Sequence, residues 1–148
     1  MVSPNYTAQN KLTIGKFIGL TFVFAWFFLG GIAHFVYTDI EVQIVPSWLP
    51  ARRLLVLLSG YFELAGALGL LLIRTRSLAG LGLILLTLAV TPANIYMWQN
   101  PELFPKVPYW VLTIRLPVQL ALLACIWWST RPPRPSSACD ATTVDNDV

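Results

Sequence analysis

Charged residues are scarce in this chain of 148 residues. Only 11% of them are Asp, Glu, Lys or Arg, whereas 56% are hydrophobic. Soluble domains carry about 25% charged residues and need polar groups to cover their surface. The shortage therefore excludes a soluble globular enzyme and a disordered chain. Although the net charge is +3, Lys and Arg are scattered beside apolar segments and form no basic stripe, which argues against a nucleic-acid partner.

Cysteine and histidine are also rare. Cys125 and Cys139 are fourteen positions apart and form no C-x-x-C pair, so redox chemistry through the protein's own thiols is not expected. His34 is the single histidine, and no Cys/His cluster has the spacing of metal ligands. The sequence has no nucleophile paired with a base and no nucleotide or flavin motif. We therefore expect no metal, no catalytic residue and no independent enzymatic activity.

Long apolar segments, by contrast, dominate the chain. A helix of about 20 apolar residues crosses the hydrocarbon core of a bilayer, and four segments reach that length: 17–36, 54–73, 78–98 and 109–129. They do not alternate as barrel strands do. The sequence predicts an all-α membrane protein, a four-transmembrane-helix bundle over 17–130. A polar leader over 1–16 and a disordered tail over 131–148 flank it.

Lys and Arg are distributed unequally between the two sides of this bundle. Six lie on the side of the termini and the 74–77 turn, and three lie on the other side. Positive charge favours the cytoplasmic side, so both termini are predicted to be cytoplasmic. The short turn makes spans two and three antiparallel neighbours. The longer connections, 37–53 and 99–108, combine Pro with aromatic residues, and they either anchor in the headgroup layer or cover a cavity between the helices.

The few polar side chains inside the spans lie in one half of the bundle. His34, Glu63, Asn94, Arg115 and Gln119 fall about 3–15 Å below the helix ends that face the longer connections, at a rise of about 1.5 Å per residue. An ionisable group in a membrane costs about 2.5–3.5 kcal/mol and usually faces the bundle interior. We therefore predict one polar pocket, open to the side of the longer connections.

Two further residues share a helix face with these polar side chains and extend the predicted pocket. Ser59 lies one turn before Glu63, and Trp98 lies one turn after Asn94. Glu63 is predicted to pair with Arg115, since opposite charges at similar depth lower the cost of burying each other. Two interpretations stay open: the network holds the helices in register, or it binds a small ligand such as a quinone headgroup. Proton or ion passage is disfavoured because the other half of the spans offers no polar path.

Three stretches resemble a known family when their order and spacing are taken together. They are 44–50 (IVPSWLP), 59–66 (SGYFELAG) and 92–97 (PANIYM). They are similar to the DoxX/DoxX-like family of small four-helix membrane proteins, over residues 17–130. The resemblance implies a bacterial inner-membrane protein. Some relatives belong to a thiosulfate:quinone oxidoreductase or to a membrane complex against oxidative stress, and animal relatives assist receptor assembly.

The resemblance implies a function that the residues alone do not supply. The protein is expected to be an accessory subunit of a membrane redox or oxidative-stress complex, with an oxidoreductase and the lipid bilayer as its partners. Two alternatives remain: a module that binds or transports a quinone or another small ligand, and an assembly chaperone for membrane proteins. The relative linked to disulfide formation uses paired cysteines, which this chain lacks.

Overall fold

The computed structural model describes residues 14–105 and 107–131, which are helical and contain no strand. The helices are α1 (Ile14–Val36), α2 (Thr38–Ile44), α3 (Arg52–Leu71), α4 (Arg76–Ala89), α5 (Thr91–Gln99) and α6 (Tyr109–Thr130), with a 3₁₀ turn at Pro101–Leu103. The predicted leader before residue 14 and the predicted tail after residue 131 lie outside the described residues.

Four helical segments are long and apolar enough to cross a membrane. They are Ile14–Val36, Arg52–Leu71, Arg76–Gln99 and Tyr109–Thr130. These segments coincide with the four predicted apolar segments, and their ends differ by at most three residues. Large apolar side chains cover their outer surface: Phe17 is 62% exposed, Leu29 65% and Leu120 69%. Soluble monomers rarely expose apolar surface so widely, and this indicates a multi-pass membrane protein.

The four long segments are arranged as a ring. α3 packs against α1 and α4, and α6 packs against the same two helices, so α3 and α6 lie across a diagonal. Between α3 and α4 the chain reverses within residues 72–75. The backbone N–H groups of Thr75 and Arg76 donate to the carbonyl oxygen of Leu72 at 3.2 and 3.0 Å. The predicted antiparallel packing of spans two and three is confirmed.

One end of the bundle, called here the terminal end, holds the start of α1 and the end of α6. The Nζ of Lys16 donates to the carbonyl oxygen of Arg131 at 2.9 Å and joins these two helix ends. Close packing of α4 on α6 requires Gly80, because a β-carbon there would collide with the side chain of Thr130. Apolar residues fill the interior of this half: Leu20, Val23, Phe27, Ala67, Leu70, Leu83, Leu122 and Ile126.

The third span, predicted from the sequence as one segment over 78–98, is divided into two helices. α4 and α5 meet at Val90. Pro92 lies in the first turn of α5, where a missing N–H is tolerated, but it cannot donate a hydrogen bond back to α4. The N–H of Ala93 bonds to the carbonyl oxygen of Val90 at 3.1 Å, which is the spacing of a tighter 3₁₀ turn.

The opposite end, called here the loop end, carries the connections 37–51 and 100–108. α2 packs against α3, and the Nη1 of Arg53 donates to the Oδ1 of Asp39 at 2.9 Å across an exposed surface. Ala51, immediately before α3, has φ 52° and ψ 40°. This left-handed conformation is costly for a residue with a β-carbon.

Candidate functional site

A cavity of about 1000 Å³ lies between the helices in the half of the bundle nearer the loop end. Each of the helices α1–α6 contributes to its wall. The α2–α3 connection contributes Val45, Pro46, Trp48 and Leu49. Its polar lining residues are His34, Glu41, Ser59, Glu63, Thr87, Asn94, Arg115 and Gln119. Ligand sites measure about 300–1,000 Å³, so this cavity has the size of a small-molecule site.

The structure brings together six of the seven residues that the sequence analysis assigned to a pocket. The six that line the cavity are His34, Ser59, Glu63, Asn94, Arg115 and Gln119. They come from four different helices, and each lies on the face that its helix turns toward the bundle interior. Their part in ligand binding stays a prediction.

Trp98, the seventh predicted residue, does not line the cavity. Its side chain is 38% exposed, whereas that of the preceding residue, Met97, is 2% exposed. On a regular helix, the residues three and four positions after Asn94 lie on the two sides of its face. In α5 the side of Met97 packs into the bundle, and Trp98 lies on the outer side.

Glu63 lies beside His34. The Oε1 of Glu63 is 3.4 Å from the Nε2 of His34, and the two side chains are only 14% and 18% exposed. Among the residues described, no carboxylate oxygen comes within 4.0 Å of Arg115, so the predicted Glu63–Arg115 pair is wrong. The topology explains the error, because α3 is adjacent to α1 but lies across the diagonal from α6.

Two consecutive glycines of α1 shape the contact with α3. A β-carbon at Gly30 would stand 2.8 Å from the Oε2 of Glu63, so the bare backbone at this position leaves room for the carboxylate. Gly31 faces α3 itself, and a β-carbon there would stand 3.0 Å from the carbonyl oxygen of Gly60. The first glycine therefore serves the cavity, and the second serves the packing of the helices.

Gln119 connects α6 to both helices of the divided third span. Its Nε2 donates to the carbonyl oxygen of Thr87 at 2.8 Å and to the Oγ1 of Thr91 at 2.6 Å. Its Oε1 accepts a hydrogen bond from the Nδ2 of Asn94 at 2.8 Å. The side chain is 8% exposed, and an unpaired buried amide would cost about 1–3 kcal/mol. These bonds therefore stabilise the junction between α4 and α5.

Arg115 lies about two turns into α6 and faces the cavity. Its Nη1 contacts the Sδ of Met97 at 2.7 Å, and this thioether is a weak acceptor. A guanidinium carries five N–H donors. Most of the hydrogen-bonding capacity of Arg115 is therefore not used by the side chains described.

Sequence reasoning missed the contribution of α2 to the cavity. Glu41 and Ile44 lie three residues apart on one face of this short helix, and both line the cavity. The three-residue spacing of these side chains could have indicated a helix with one face toward the cavity. The helix is only 7 residues long and follows α1 almost directly, so the spacing alone did not distinguish it from a loop. Pro46 and Trp48 line the cavity as well, which agrees with the interpretation that this connection covers a cavity.

The cavity combines separate charges and hydrogen-bonding groups with apolar walls. Trp26, Phe62 and Val118 are among the apolar lining residues. Within 14–105 and 107–131, no three His, Cys, Asp or Glu side chains lie close enough together to hold a metal ion. A few placed polar groups in a largely apolar cavity suit a small molecule that has a polar head and an apolar body.

The fold and the cavity define a class: a small helical bundle with four candidate membrane spans and a partly polar interior. The chain belongs to the family described as "Domain of unknown function (DUF8561)", whose match covers residues 23–130. This region includes most of α1 and the whole of the other three spans. No curated protein and no solved structure matches the chain.

Proposed function

We propose that this protein binds a small amphipathic molecule in the cavity near the loop end. The observation that carries the proposal is the convergence of His34, Glu63, Asn94, Arg115 and Gln119 on a space of about 1000 Å³ with largely apolar walls. A network that only held the helices in register would require these groups to bond to one another, and Arg115 is not bonded to any acid among the residues described.

Native mass spectrometry of the protein, released from a mild detergent, tests this proposal. The substitution Ala93→Phe places a large side chain in the cavity wall and should abolish any co-purifying small molecule. Ala124→Phe is the matched control, because Ala124 lies on the exposed face of α6 and does not line the cavity. A wild-type protein that carries no small molecule and takes up none from a lipid extract would contradict the proposal.

The resemblance to the DoxX-like family supports a second element of the proposal. We propose that the protein is an accessory subunit of a membrane redox or oxidative-stress complex, with a quinone as one candidate ligand. Affinity purification in mild detergent should then recover an oxidoreductase in stoichiometric amount. Recovery of the protein alone, under conditions that preserve other membrane complexes, would contradict an accessory role.

The resemblance to the DoxX-like family supports a location in the inner membrane, and the charge distribution supports an orientation with both termini in the cytoplasm. Lys16, Arg74, Arg76 and Arg131 lie at the terminal end, and positively charged residues favour the cytoplasmic side. Arg52 and Arg53 lie at the loop end. Lys11, Lys106 and Arg134, which entered the same prediction, lie outside the described residues.

Labelling of single cysteines with a membrane-impermeant maleimide tests this orientation. With Cys125 replaced by Ala, the native Cys139 should react only after the cells are permeabilised. A chain that carries Ser47→Cys as its single cysteine should react in intact cells, because Ser47 is exposed in the α2–α3 connection. The reverse pattern would show that the termini face outward.

A further inference from the structure

Arg115 is a charged group of the cavity wall for which the described residues supply no counter-charge. Its guanidinium contacts the Sδ of Met97, and no carboxylate lies within 4.0 Å of it in residues 14–105 and 107–131. Glu63, by contrast, has the imidazole of His34 at 3.4 Å. Of the two ionisable groups that the sequence analysis paired, Glu63 therefore has a partner of potentially opposite charge, whereas Arg115 has none among the described residues.

An isolated guanidinium at this depth is expensive, and its geometry indicates what would stabilise it. A cation inside a membrane span is costly, and a thioether offsets little of that cost. The planar guanidinium presents parallel N–H groups that match the oxygens of a carboxylate or a phosphate. We infer that Arg115 binds an anionic oxygen group, carboxylate or phosphate, on the head of the amphipathic ligand; this inference rests on the proposed function.

The position of the acids restricts where such a head can lie. Glu63 projects from α3, across the diagonal from α6, where it packs against Gly30 and His34. Glu41 belongs to α2, at the loop end. The Arg115 guanidinium has neither carboxylate within 4.0 Å, and an anionic head is therefore accommodated on the α6 side of the cavity, across the diagonal from Glu63.

The remaining wall supplies a surface for the apolar body. On α6, Val118 and Leu122 follow Arg115 by three and seven residues on the cavity face, toward the closed apolar half. Phe27 and Leu86 line the cavity from α1 and α4. The head thus meets a cation near the loop end, while the body contacts side chains that continue into the core.

Three dodecyl amphiphiles with different heads test the inference: dodecanoate, dodecyl phosphate and dodecanol. Each is measured by equilibrium binding of the labelled compound to the protein in phosphatidylcholine nanodiscs at neutral pH, after subtraction of the signal from empty nanodiscs. The anionic compounds should bind about tenfold or more tightly than the alcohol, since hydrogen bonds to a charged group contribute about 1.5–3 kcal/mol. Preference for dodecyl phosphate would indicate a phospholipid-type head, and preference for dodecanoate a fatty-acid-type head.

Variants of Arg115 assign the preference to this side chain. Arg115→Gln should reduce the binding of the anionic compounds to that of dodecanol without changing the binding of dodecanol. Arg115→Lys keeps the charge and should retain part of the preference. Arg53→Gln is the matched control, because Arg53 lies on the exposed surface beside Asp39 and outside the cavity. It should leave all three affinities unchanged.

The outcomes separate the inference from the proposed function. If dodecanol binds as tightly as dodecanoate and dodecyl phosphate, the inference is overturned, while ligand binding in the cavity stands. If the preference for anions persists in Arg115→Gln, another group carries it, and the inference is again overturned. If none of the three compounds binds and no small molecule co-purifies, the proposed function fails as well. The wild-type comparison can overturn the inference even if Arg115→Gln does not fold.

Discussion

Gly31 of α1 and Gly60 of α3 mark the point where the backbones of two spans lie in contact. A β-carbon at Gly60 would stand 3.1 Å from the carbonyl oxygen of Gly31, and 2.7 Å from the β-carbon of His34. Small residues permit this approach between membrane helices. The approach also sets His34 beside Glu63, which lies one turn further along α3. The packing of two glycines and the geometry of the cavity are therefore coupled.

Substitution of Gly60 by Ala should destabilise the bundle. The added methyl group meets backbone and a β-carbon, which cannot move aside without separating the helices, and overpacking of this kind costs about 1–3 kcal/mol. Gly82→Ala is the matched control, since nothing lies within 4 Å of a β-carbon at that position. Thermal unfolding in detergent should show a lower Tm for Gly60→Ala and an equal or higher Tm for Gly82→Ala. An unchanged Tm for Gly60→Ala would contradict the close approach.

The contact between His34 and Glu63 should appear as an energetic coupling. In a double-mutant cycle with His34→Gln and Glu63→Gln, the free energies of unfolding should deviate from additivity by about 0.5 kcal/mol or more, as is typical for residues in contact. The same cycle with Glu63→Gln and Arg115→Gln should give a smaller deviation, because these residues are not in contact across the cavity. A larger coupling for the second pair would support the partner that the sequence suggested.

Removal of the Gln119 amide should weaken the junction of the third span. Gln119→Met has a similar size but leaves the carbonyl oxygen of Thr87 and the amide of Asn94 without their partner. Hydrogen bonds between membrane helices contribute about 0.6 kcal/mol each on average, so the free energy of unfolding should fall by about 2 kcal/mol. Gln99→Met, at the exposed end of α5, should have little effect. Equal unfolding curves for both variants would show that the network contributes no stability.

Ala51→Gly should stabilise the protein. Residue 51 adopts φ 52° and ψ 40°, and a residue with a β-carbon loses about 1–2 kcal/mol in this region, whereas glycine does not. The gain is reduced by the greater entropy of glycine in the unfolded chain, so a small rise in Tm is expected. Ala124→Gly, in the regular interior of α6, should instead lower stability by about 0.5–1 kcal/mol. A lower Tm for Ala51→Gly would contradict a strained conformation at that residue.

The sequence could predict the spans because their signal is local. A segment of about 20 consecutive apolar residues is favourable only in a bilayer or in the interior of a protein. Helix geometry then fixes which of its residues share a face. His34, Glu63, Arg115 and Gln119 were found in this way, since a polar side chain in such a segment turns inward. Trp98 was misplaced because Met97 and Trp98 both flank the face of Asn94, and only the packing of α5 decides which of the two is buried.

Hydropathy and helical period act within a single segment, so the amino-acid sequence alone predicts four apolar helices whose polar groups share one half of their length. Which of these polar groups meet depends on how the helices pack. Glu63 contacts His34 because α1 and α3 are neighbours that approach through glycine, and Arg115 remains apart because α6 lies across the diagonal. The order of helices around a ring depends on packing between distant segments, and no single segment encodes it.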